Sequence, residues 1–162
     1  MKVLGIDPGL RVTGYGLVEM NERGLALIEA GEIKSKTSQP FEYRLLELSR
    51  GLDDIVAEFG PDAMAVEDIY SHYKHPRTAV IMGHARGVFF LVAGKSGIPV
   101  FSYSATRIKK SLTGSGHATK EQVAGMISRV LCCADIPGHA DVTDAIAAAL
   151  CHLNTVTHGG LQ

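Results

Sequence analysis

Cysteine is scarce in this chain. The three present, Cys132, Cys133 and Cys151, are odd in number, which argues against a disulfide framework, and the adjacent pair lacks the spacing of a zinc site. Reduced residues of a core or helix face are expected. Long apolar runs are missing too: Val88 to Ala93 is closed by Gly94-Lys95-Ser96-Gly97, far short of the ~20 residues that span a bilayer. No basic and apolar leader precedes the first strand, which starts by residue 2 or 3, so a cytoplasmic location is expected. Internal repeats and low-complexity tracts are lacking. With 162 residues and a hydrophobic content of 46%, the chain is long and apolar enough to bury a core without staples. One domain over residues 1–155 is expected, followed by a frayed tail over 156–162.

Acids nearly vanish from residues 71–130. That span holds nine Lys and Arg against a single acid, Glu121, and adds His72, His75, His84 and His117, although the whole chain has a net charge of −1. A basic stretch on a neutral protein suggests a polyanion-binding face. A solvated helix surface is the plainer alternative; the lack of balancing acids favours the first.

The pattern of apolar residues gives the order of elements. Val3 to Ile6 reads as a buried strand, and Thr13 to Met20 and Leu25 to Lys34 as two more, joined through Asn21-Glu22-Arg23-Gly24. Short connections make these an antiparallel meander. Phe41, Leu45, Leu48, Leu52, Ile55, Val56 and Phe59 share a helical face that stops at Gly60-Pro61. A strand follows over Ala63 to Glu67, then a helix over Arg77 to Ala93 and a strand over Pro99 to Ser102. Thr106 to Leu112 is a short basic helix, and Thr113 to Ala118 a glycine-containing flexible loop. Thr119 is placed as the N-cap of a helix over Lys120 to Leu131, and Asp141 opens the last helix, reaching about Asn154. The expected fold class is α/β, a mixed five-stranded sheet with helices on both faces.

On this framework four carboxylates stand out. Asp7 and Glu67 end apolar strands that can be neighbours, at the sheet edge where ligand sites of open α/β sheets gather. Asp141 and Asp144 share one face of the alanine-rich last helix, whose small residues permit close approach to the sheet. Carboxylates on buried elements are costly unless something positive holds them. All-oxygen donors without Cys or a paired His motif favour Mg²⁺ or Mn²⁺. Two such ions would activate water and stabilise the leaving oxygen of a phosphodiester displacement. Each acid also has a plain reading: Asp7 a turn acid before Pro8-Gly9, Asp141 an N-cap, Asp144 a dipole partner, Glu67 an exposed strand end beside Asp68. Four such placements together favour the metal reading.

Gly5-Ile6-Asp7-Pro8-Gly9 with Thr13-Gly14-Tyr15-Gly16, Ala65-Val66-Glu67, Ala85-Arg86-Gly87-Val88 and Ala140-Asp141 to Asp144-Ala145, with His152 behind them, form an ordered set. In this set the chain resembles, nearly end to end, the RuvC family of Holliday junction resolvases on the ribonuclease-H-like fold. The resemblance implies a homodimer that nicks four-way DNA junctions symmetrically in recombination and repair, leaving 5′-phosphate and 3′-hydroxyl ends, alongside the branch-migration proteins RuvA and RuvB. It implies that Asp7, Glu67, Asp141 and Asp144 bind two Mg²⁺, with Mn²⁺ able to substitute. It further implies that Lys109 and Lys120 hold the backbone near the scissile phosphate and that Tyr70 stacks on an unpaired base. Departures are local: Asp68 and His84 stand where the family often has Gln, and His75 where it often has Asn. Asp68 adds a fifth acid, and strand alternation lets only one of Glu67 and Asp68 face the site; Glu67 is chosen, partly on the resemblance.

Lys109, Lys110, Arg107 and Lys120 bracket the Gly114-Ser115-Gly116 loop as phosphate contacts, with Arg77 and Arg86 as lesser ones. Gly83 and Gly87, four apart, permit close packing, either against a second subunit or against the sheet. Competing readings are a ribonuclease-H-like RNA-processing enzyme and a non-catalytic branched-DNA-binding module. An actin-like ATPase needs two such domains, more than 162 residues hold.

Overall fold

A computed structural model describes residues 1–68, 76–133 and 139–159, the side chains of 76, 158 and 159 excepted. Among the described residues, five strands and five helices follow in the order β1 (Lys2–Asp7), β2 (Val12–Asn21), β3 (Gly24–Lys34), α1 (Phe41–Phe59), β4 (Ala63–Glu67), α2 (Pro76–Lys95), β5 (Val100–Tyr103), α3 (Ala105–Thr113), α4 (Lys120–Val130) and α5 (Ala140–Gly159). The sheet order is β3-β2-β1-β4-β5. The meander pairs are antiparallel, whereas β4, reached from β3 through α1, lies parallel to β1, and β5 follows β4 in parallel by a crossover through α2.

Strand alternation sends side chains to two separate cores. Leu4, Ile6, Met64 and Val66 lie on the α1 and α2 side with Leu48, Leu52 and Phe89. Val3, Ala63 and Ala65 lie on the other side with Val142, Ile146 and Leu150 of α5 and Ile108 and Ile127 of α3 and α4. The expected mixed sheet with helices on both faces is what the chain forms. Along α1 the inward face holds Leu48, Leu52 and Ile55, but Phe41 at its start is 38% exposed and meets the His84 ring edge-on at 5.4 Å.

Three local expectations change. Helix α5 does not stop near Asn154: it runs to Gly159, with the Thr155 and Thr157 hydroxyls donating back to the carbonyls of Cys151 and Leu153 (2.8 and 2.5 Å). The tail expected to fray from residue 156 is therefore helical through its described part. The 113–118 segment is a bonded turn: Thr113 Oγ1 donates to the Lys109 carbonyl (2.9 Å) and accepts from Ser115 N (3.2 Å), Gly114 caps α3 at φ 79, and Ala118 is buried. Gly83 and Gly87 do not pack on the sheet, since a Cβ added at either would meet nothing within 4 Å. The Thr119 cap is present as a full capping box with Gln122.

Candidate active site

Register makes Asp7 and Glu67 neighbours. Ile6 lies opposite Val66 in the parallel β1–β4 pair, so the next residue on each strand reaches the same C-terminal edge of the sheet. Asp7 shares the parity of Val3 and Gly5, and Glu67 that of Ala63 and Ala65, so both side chains belong to the α5 face.

Glycines then admit α5. A Cβ on Gly5 would overlap the Ala145 backbone, and one on Gly14 the Asp141 carbonyl. The answering surface of α5 is Val142, Ala145, Ile146 and Ala149, all fully buried. The first turn of α5 is thereby pressed onto the ends of β1 and β2, which carries Asp141 and Asp144 to Asp7. Thr13 fixes the turn that follows Asp7: its hydroxyl donates to the Gly9 carbonyl (2.6 Å) and accepts from Gly9 N (3.2 Å). The sequence placed Thr13 in a strand and a motif without giving it this role, although a hydroxyl on an apolar strand beside a turn glycine was its signal.

The electrostatics show the convergence. Burial pushes the Asp7 carboxyl up from 3.8 to about 7, and the charges of Glu67, Asp144 and Asp141 push the same way, with Lys120 opposing them. Glu67 is also raised, first by burial and then by Asp144, against Lys120 and Lys109. Lys120 Nζ donates to Asp144 Oδ2 at 3.2 Å. Asp144 holds the ammonium above its usual range, and Asp7 and Asp141 add to this. Glu67, Asp144, Lys109 and Lys120 line one cleft of about 190 Å³.

These residues fit a hard divalent cation. Every candidate donor is an oxygen, and Asp7 is held in a position where its own ionisation is opposed by burial and three other acids. Among the described residues no group of three or more His, Cys, Asp or Glu already stands in joint ligating positions.

Asp68 faces away. Its Oδ1 accepts from Arg86 Nη2 at 2.9 Å, on the α2 side of the sheet, which leaves Glu67 as the acid of this pair on the α5 side. Arg86 is accordingly tied up inside the chain. Arg107 and Lys110 are exposed on α3, Arg107 with its guanidinium 5.1 Å from the centre of the Tyr103 ring. Arg77 is exposed in the first turn of α2 and is not among the residues lining the acid cleft. Tyr70 and His75 lie outside the described residues. His152, known from the sequence only as part of a motif, gains a partner in the fold: the Tyr103 hydroxyl and His152 Nδ1 are hydrogen-bonded at 2.8 Å in a buried site, tying β5 to α5.

Comparison with known proteins gives this arrangement a family. Residues 3–152 match the family model described as Crossover junction endodeoxyribonuclease RuvC. A protein of that name from Rhodopirellula baltica is 46% identical over 149 residues, covering 92% of this chain and 84% of its own. The Thermus thermophilus RuvC structure superposes with a TM-score of 0.90 at 31% identity, over 98% of this chain and 97% of the other. The same protein in complex with Holliday junction substrate gives 0.88 at 28% identity, with the same coverage. This chain belongs to the RuvC family of crossover junction endodeoxyribonucleases, on a ribonuclease-H-like fold.

Proposed function

We propose that this chain resolves four-way DNA junctions in homologous recombination and repair. It does so as a divalent-metal-dependent endonuclease making paired, symmetric nicks that leave 5′-phosphate and 3′-hydroxyl ends. The observation that carries the reading is Asp7: a carboxyl raised to about 7 by burial and by Glu67, Asp144 and Asp141 is a site built to receive positive charge. Asp7, Glu67, Asp141 and Asp144 would hold two Mg²⁺ (or Mn²⁺), which supply water activation and charge stabilisation at the leaving oxygen. Asp7 feels the charges of all three other acids.

The remaining work falls to the chain's own side chains. Lys109 and Lys120 sit in the acid cleft and steady the scissile phosphate. Arg107 and Lys110, exposed on α3, and Arg77 on α2 contact the flanking backbone, where charge and not base identity is read. Tyr70 supplies a stacking surface beyond β4. Residues 1–155 act as a single nuclease domain in the cytoplasm, in concert with RuvA and RuvB.

Two equivalent cuts call for two equivalent sites. The outward face of α2 suits a two-fold interface: Val80 and Leu91 are 59% and 61% exposed. Between them Gly83 and Gly87 offer open space that a second copy of the helix can enter. Incubating the chain with a labelled four-way junction, a linear duplex and an RNA–DNA hybrid, with Mg²⁺ or EDTA, tests the whole reading. Paired nicks confined to the junction and lost in EDTA are expected; preferential cleavage of the hybrid overturns it.

A further inference from the structure

We infer that Arg86 is a positioning residue for the acid cluster, acting through Asp68. The inference rests on the resolvase reading above and assigns a task to two residues that this reading leaves idle.

Strand β4 ends at Glu67, and its ladder reaches one step further, where Asp68 N donates to the Tyr103 carbonyl at 2.9 Å. Consecutive residues there point to opposite faces of the sheet. Whatever holds the Asp68 side chain on the α2 face therefore keeps Glu67 on the α5 face. Arg86 does the holding. Its Nη2 donates to Asp68 Oδ1 at 2.9 Å and to Ser102 Oγ at 2.5 Å, which joins α2 to the ends of two adjacent strands. The guanidinium is itself located from above by the Phe90 ring, 4.5 Å from its carbon to the ring centre. Arg86 Nε is enclosed without a hydrogen-bond partner among the described residues, so the guanidinium is seated by its Nη2 bonds and its ring contact, not by full satisfaction of its donors.

The pair contributes little as a surface ion pair, because Asp68 is 48% exposed. Its weight lies in geometry. Without the clamp, nothing on the α2 side holds the last residue of the ladder, and two adjacent acids at one strand end repel. The Asp68 charge already acts on Glu67, adding to the rise of its pKa.

The test uses Arg86→Gln, Asp68→Ala and the double variant. Divalent affinity is read by Mn²⁺ calorimetry without DNA, and kcat and KM with a four-way junction. Each single variant is expected to weaken Mn²⁺ binding and lower kcat by about tenfold, as loss of an outer partner of a metal ligand does. Junction KM is expected to stay within about twofold, and the double variant to be no worse than the singles, since both remove one device. Asp68→Ala guards against a folding failure of Arg86→Gln, because truncating a half-exposed acid leaves the core untouched. Unchanged Mn²⁺ affinity in Asp68→Ala overturns the inference, as does a loss in Arg86→Gln confined to junction KM, which would make Arg86 a DNA contact. A wild-type chain that binds Mn²⁺ but leaves junctions uncut overturns the resolvase reading alone.

Discussion

Replacing Asp7 with Asn should stabilise the protein while destroying its activity. The folded carboxyl ionises near 7 against 3.8 unperturbed. Each pKa unit is worth ~1.4 kcal/mol, so keeping ionised Asp7 in place costs up to about 4 kcal/mol. The sign follows from proton counts. Below 3.8 the group is protonated in both states and costs nothing. Between 3.8 and about 7 the folded state keeps a proton that the unfolded state has lost, so stability falls as pH rises through that window. Above it the cost is full and constant. Asparagine carries no titrating group, so the variant is spared this loss.

Urea denaturation in EDTA measures the difference. The variant should exceed wild type by up to about 4 kcal/mol at about pH 8, and by less than half of that at about pH 5. Adding Mg²⁺ should raise the wild-type midpoint and leave the variant nearly unmoved, because binding to the folded state alone stabilises it. Junction binding should survive and cutting should not. A variant less stable than wild type at the higher pH would refute the reasoning, as would a gap independent of pH.

Further outcomes follow from other parts of the molecule. Gly14→Ala drives a methyl into the Asp141 carbonyl; it should cost about 1–3 kcal/mol and reduce cutting at unchanged junction affinity, measured by denaturation and gel shift. Tyr103→Phe strands His152 Nδ1 in a buried site, costing about 1–3 kcal/mol in urea denaturation. Burial holds the His152 pKa below its ordinary value, so the unfolded state takes up a proton there before the folded state does. This group's contribution to stability is present above 6.5 and should decline as pH falls below it. Lys120→Met removes the cation that bonds Asp144 and partly offsets Asp7; cutting should fall on the order of a hundredfold in single-turnover assays. Leu91→Asp on the open face of α2 should yield monomers by sedimentation that bind junctions weakly and cut without pairing.

Strands and helices were legible because their apolar periods are strong. Ala63–Glu67 was read to the residue, and the Thr119 cap was read from one hydroxyl before a helical run. What stayed hidden depended on partners far away in sequence. Alternation says that Glu67 and Asp68 oppose each other but not which faces the site; α5, docked on the side of Ala63 and Ala65, settles that it is Glu67. The glycines of β1 and β2 read as a motif, yet their purpose, clearance for α5, exists only once that helix is docked. The outward direction of Gly83 and Gly87 was likewise undetermined, because a four-residue spacing marks a face without saying what it meets. The last helix was expected to reach only about Asn154, but the Thr155 and Thr157 hydroxyls bond back to carbonyls one turn earlier and the helix continues.

The same docking that completes the site also burdens it. Fully buried Val142, Ala145, Ile146 and Ala149 seat α5 against glycine-cleared strands, and burial of that apolar surface stabilises the domain. The helix start is thereby fixed where Asp141 and Asp144 face Asp7, raising it towards neutral pH. A polar but uncharged set of residues at 7, 67, 141 and 144 would avoid this repulsion, so packing alone gives no reason for four acids. Lys120 relieves only part of it, since Asp7 stays near 7 with that lysine in place. The unrelieved remainder is available to any divalent cation that enters, and favours its binding over that of a neutral ligand. Stability is thus given up at the sheet edge in the form that a metal-dependent phosphodiesterase can recover on loading.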